Sequence, residues 1–113
     1  DTWRDEIAES GNLHMQAIVQ TQYARTMREQ HQPDQAVNLL SEALTLAQQA
    51  QARFTAVTTG LELATTYLER QQPGDTALAI ATIATVREAV DRLQIPLLEE
   101  RYRHTSEQAG AGT

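Results

Sequence analysis

The chain has 113 residues, 41% hydrophobic and 21% charged, enough for one folded domain and too apolar for a disordered segment. Fifteen acidic against nine basic residues leave a formal charge of −6, the wrong sign for gripping a phosphate backbone, which argues against nucleic acid as a direct partner. Cysteine is absent, so disulfides, thiolate metal sites and cysteine nucleophiles are excluded, and no apolar run approaches the ~18 to 20 residues of a membrane span. Without a secretion-signal pattern either, the reading is a soluble, cytoplasmic chain that meets no membrane.

In chain order, Thr2 to Ser10 predicts a short helix stopped at Gly11 by a left-handed residue. From Leu13 to Gln30, Leu13, Ala17, Ala24 and Met27 fall along one helical face. From Asp34 to Gln51 the pattern sharpens, with Ala36, Val37, Leu40, Ala43, Leu44 and Ala47 forming one stripe. A third helix carries Phe54, Val57, Leu61, Ala64 and Leu68, widened by Leu63 and Tyr67. The fourth, about 75 to 93, is apolar on two sides, through Ala77, Leu78, Ala81, Ala84, Ala89, Val90 and Leu93 and through Ile80, Ile83 and Val86. It is therefore expected to be the most buried. A fifth begins after Pro96 with Leu97, Leu98 and Tyr102 and fades near Gln108. No alternating pattern with turn dipeptides occurs, so the expected class is all-α.

The segments repeat. Pro33 and Pro73 stand 40 residues apart, each expected at the start of a helix, where a fixed φ and a missing N–H are harmless. Gln22 to Met27 overlies Glu62 to Tyr67 at that offset, matching Ala24 with Ala64 and Met27 with Tyr67. One inserted residue then matches Asp34 with Asp75, Ala36 with Ala77 and Ala43 with Ala84. Such a helix pair cannot bury its apolar face alone and must stack on its neighbours.

On these residues the chain resembles the tetratricopeptide repeat (TPR) family, whose helix pair has a small residue where helix A meets helix B, a bulky one three positions on, and two alanines seven apart in helix B. Here these are Ala24 and Ala64, Met27 and Tyr67, and the pairs Ala36/Ala43 and Ala77/Ala84. The tryptophan-like position holds Gln20 and Gly60 instead, the closing proline is missing, and the unit exceeds the family's ~34 residues. Elongated units of this kind are similar to those of bacterial multidomain regulators, and an arginine-rich, lysine-free composition points to a GC-rich bacterial genome. The resemblance implies antiparallel helix pairs stacked as a short solenoid, with repeat 1 over 13–51, repeat 2 over 53–93 and a half-repeat helix over 96–108, cut from a larger protein.

Candidate chemistry is thin. His14, His31 and His104 lie on three segments without helical metal-site spacing, no Gly-x-x-x-x-Gly-Lys loop occurs, and the Glu99–Glu100 neighbours point about 100° apart on a helix. No enzyme, cofactor or metal is expected. The family register implies that Thr21, Arg25 and Arg28 of the first helix A, and Glu62, Thr65 and Glu69 of the second, face the concave groove where bound peptides lie. Two guanidinium groups there could grip a carboxylate; the alternative is that they pair with Glu29 or Glu62 or face water. The family's carboxylate clamp for chaperone tails is not implied, because the chain has no lysine and its asparagines are only Asn12 and Asn38. The function expected is a protein-interaction or scaffolding module with a protein or peptide partner. Two further readings are a sensing segment within a bacterial signalling or transcription regulator, and a spacer that homodimerises through an apolar helix face, the fourth helix.

Overall fold

A computed structural model describes residues 2–111, with side chains from 11 to 110. The described chain is five α-helices joined by short turns: α1 (Thr2–Glu29), α2 (Pro33–Gln49), α3 (Arg53–Arg70), α4 (Asp75–Leu93) and α5 (Pro96–Ala111). Each helix packs on the next, while α3 also touches α1 and α5. Its radius of gyration, 14.4 Å, exceeds the ~13 Å of a spherical domain of this length, and the body measures 51 × 31 × 21 Å. No strand occurs among the described residues.

The helices end by a shared device. His31, Gln51, Gln71 and Gln94 adopt left-handed φ values of 60, 57, 56 and 50°. After α1 and α2 the next residue's N–H reaches back five positions, Gln32 to the Met27 carbonyl at 2.8 Å and Ala52 to the Ala47 carbonyl at 2.9 Å, closing Schellman motifs. After α3 and α4 one bond does the work, from Gln71 N to Tyr67 O at 3.1 Å and from Gln94 N to Val90 O at 3.3 Å. These positions are polar and solvent-facing, and the left-handed conformation falls on histidine and glutamine instead of glycine.

The expected break at Gly11 does not occur: α1 runs continuously through it. An interior glycine costs only ~1 kcal/mol of helix propensity, and no proline stands near to enforce a stop. Pro33 does occupy the first turn of α2. Pro73, however, stands in the turn before Gly74, whose φ of 88° only glycine adopts without strain, and α4 starts after both.

On α2 the buried side chains are Ala36, Val37, Leu40, Ala43, Leu44 and Ala47, the stripe expected. On α3 they include Val57, Leu61, Leu63, Ala64 and Tyr67, whereas Phe54 is 54% exposed. The most buried helix is α3, not α4, because α3 alone has neighbours on both flanks and along its inner edge. On α4, Ala77, Leu78, Ile80, Ala81 and Ala84 are exposed, and the buried stripe is Asp75, Ala79, Ile83, Val86 and Val90. Ala36, Leu40, Ala43 and Ala47 of α2 thus recur as Ala79, Ile83, Val86 and Val90, each 43 residues on, not 41. The added residues are the turn Gln72-Pro73-Gly74, while Ala17, Ala24 and Met27 recur at 40 as Val57, Ala64 and Tyr67.

Candidate functional site

Arg25 and Arg28 lie three apart on α1, and Glu62, Thr65 and Glu69 recur at three and four along α3, so each set shares one helical face. The packing of α1 on α3 turns these faces toward each other. Arg25 Nε donates to Glu62 Oε1 at 3.0 Å, Arg28 Nη1 donates to Glu62 Oε2, and Arg28 Nη2 donates to Glu69 Oε1 at 2.8 Å. From α5, Arg101 Nη2 approaches Glu62 Oε1 at 3.4 Å. Glu62 is only 8% exposed, so its carboxylate is removed from water and receives three guanidinium groups in exchange. The arginine side chains keep 41, 21 and 40% of their surface exposed, which leaves them reachable from outside.

Four of the six expected site residues, Arg25, Arg28, Glu62 and Glu69, therefore form one cluster, and the arginines are paired in the resting protein. With Glu29 they line an open cleft of about 400 Å³. Thr65 turns its hydroxyl to the Leu61 carbonyl at 2.9 Å and lines a second cleft of about 510 Å³ with Tyr67, Glu69, Gln71 and Gln108. Thr21 stands apart: it is 6% exposed and donates to the Ala17 carbonyl at 2.8 Å, with its oxygen 2.9 Å from that of Thr59. It lies in the α1–α3 seam, beneath the surface a ligand would touch.

A second cluster centres on Arg70 at the end of α3. Its Nε and Nη2 donate to both oxygens of Asp75 at 2.9 and 2.8 Å, while Nη1 donates to Asp34 at 3.1 Å. Gln72 adds a backbone N–H to Asp75 at 2.9 Å, and the guanidinium stacks 5.6 Å from the Tyr67 ring. One side chain thus ties together the start of α2, the end of α3 and the start of α4. The bidentate bond to Arg70 holds the Asp75 carboxyl below the usual carboxylate range, against the opposing effect of burial and with help from the Gln72 N–H. The same bond raises the Arg70 guanidinium further above its ordinary value.

Neither Arg70 nor Arg101 stands out from the sequence. The Arg70–Asp75 bond spans five residues across the α3–α4 turn, but Arg70 meets Asp34 across 36 positions and Arg101 meets Glu62 across 39, distances that no helical spacing signals. Among the described residues no group of three or more metal-ligating side chains converges, and no helix is long and apolar enough to cross a membrane. No family model, curated protein or solved structure matches this chain.

Proposed function

We propose that the chain is a protein-interaction module, two TPR-like helix pairs plus a half-unit stacked in a short array, whose binding surface is the side shared by α1, α3 and α5. The observation that carries this reading is the convergence of Arg25, Arg28 and Arg101, from two different helices, on Glu62 of the helix between them. It aligns the first members of the successive helix pairs along one surface beside two open clefts. The family register assigns bound peptides to this side. The recurrence of the buried stripes from α1 to α3 and from α2 to α4 supports the repeat itself.

A peptide entering here meets arginines already engaged by Glu62 and Glu69. Binding is then an exchange: a ligand carboxylate takes over the Arg28 donor that Glu69, 57% exposed in its side chain, releases at little cost, and bonds as well to the terminal nitrogens of Arg25, whose Nε is held by Glu62. Glu62 stays, because withdrawing its partners would strand a buried charge.

Panning a random peptide library on the purified chain tests the reading. Enriched peptides should lose binding on Arg25→Ala, which leaves Arg28 and Arg101 on Glu62, and keep it on Phe54→Ser. Enrichment of nothing, or of peptides indifferent to Arg25→Ala and to a plugging Thr65→Arg, overturns it.

A further inference from the structure

The outer side of α1 carries Met15, Ile18, Val19 and Tyr23, exposed at 62, 39, 59 and 56%. At ~100° per residue they span an arc of roughly 140°, opposite buried Ala17, Thr21 and Ala24. Forty residues on, α3 has Thr55, Thr59 and Leu63 in the places of Met15, Val19 and Tyr23, and there Thr59 and Leu63 are 0 and 3% exposed. This side of the repeat is covered within the chain when a neighbour is present. On α1 it is open, although its residues are more apolar.

Two properties of the patch point to its occupant. First, it has no formal charge: from Ser10 to Ala24 the sequence contains no Asp, Glu or Arg, in a chain of net charge −6. Two copies repel over much of their surface, and this is where they can meet without doubling a charge. The outer side of α4, with exposed Leu78 and Ile80, carries exposed Arg87, Glu88 and Asp91 as well and lacks that property. Second, the patch is self-complementary. Met15, Val19 and Tyr23 are spaced by four, so a two-fold axis through Val19 sets Val19 on its own copy and Met15 against Tyr23 twice. Thioether against aromatic ring is a favourable contact.

We propose that a second copy of this chain docks here, α1 crossing α1 antiparallel at Val19 at about −50°, the angle that brings the Met15–Val19–Tyr23 rows of the two copies into line. The interface is centred roughly 120° around α1 from the Arg25–Arg28 pair, with Ile18 at the border between them. It moves the dimerising face expected of the fourth helix to the first.

Sedimentation equilibrium of the full chain over a wide concentration series should show reversible growth from 12.6 kDa to twice that mass. Val19→Glu, at an exposed position, puts two carboxylates on the axis and should weaken association at least about tenfold while leaving the helical circular dichroism unchanged. The chain has no cysteine, so Val19→Cys adds a lone thiol that should oxidise to a disulfide-linked dimer, whereas Leu97→Cys, 78% exposed elsewhere, should not. A chain that is monomeric throughout, or a dimer indifferent to Val19→Glu but broken by Leu78→Glu, overturns the proposal.

Discussion

Gly60 sits in mid-α3 facing α4, and a methyl group built there would lie 2.6 Å from Val86 Cγ1 and 3.7 Å from Leu44 Cδ1. Val86 is 1% exposed and β-branched, so it has neither free space nor an easy alternative rotamer. Gly60→Ala should gain ~1 kcal/mol of helix propensity and lose ~1 to 3 kcal/mol to overpacking, a net loss of up to about 2 kcal/mol. Gly11→Ala is the control: it is also inside a helix, but nothing lies within 4 Å of the added methyl, so the propensity gain should appear undiminished. Urea unfolding of both variants measures the difference, which is the packing term alone. Val86→Ala should destabilise on its own by leaving a cavity, yet rescue Gly60→Ala in part, with a coupling of about 1 kcal/mol or more. Equal stabilisation by Gly60→Ala and Gly11→Ala would refute the close approach of α3 and α4, and with it the α4 register.

Glu62→Ala should cost ~1 to 3 kcal/mol by leaving three guanidinium groups without their shared acceptor, and the loss should grow when Arg28 loses Glu69 as well; urea titrations of the single and double variants check this. Asp75 has a folded-state pKa below its unfolded value, so its contribution is complete above pH ~4 and fades as pH falls through the lower folded value; melting of Asp75→Asn against the parent should show a gap that closes below that pH. Truncation after Leu93 removes buried Leu98, Thr105 and Ala109 and uncovers Ile83, so circular dichroism and sedimentation should report partial unfolding or self-association, and an equally stable monomer would show α5 to be dispensable.

The helical class is legible because the stripe on α2 leaves one face apolar and the other polar, and there burial follows the pattern residue by residue; on α3 the stripe from Val57 to Tyr67 is buried but Phe54 is not, and Thr59, Glu62 and Thr66 join it. On α4 the pattern could not choose a face, since apolar residues surround the helix. The choice is made by groups that hydrophobic counting passes over: Asp75, buried by its bonds to Arg70, begins the stripe that continues through Ala79 and Ile83 to Val86, which enters the notch at Gly60. The site shows the same division. Helical spacing put Arg25 beside Arg28 and Glu62 in line with Glu69, whereas the meeting of the two sets depends on packing between residues 34 to 41 positions apart. The family register groups Thr21 with the arginines, but α3 covers it, because its side chain is small enough to sit in the seam against Thr59.

The most direct test of the interaction surface is a backbone amide NMR titration of the full chain with the peptide that panning selects. Shift changes should concentrate at Arg25, Arg28, Thr65, Glu69 and Arg101, with the exposed sides of α2 and α4 unmoved. Changes centred on α2 or α4, or none at saturating peptide, would contradict the assignment of this surface.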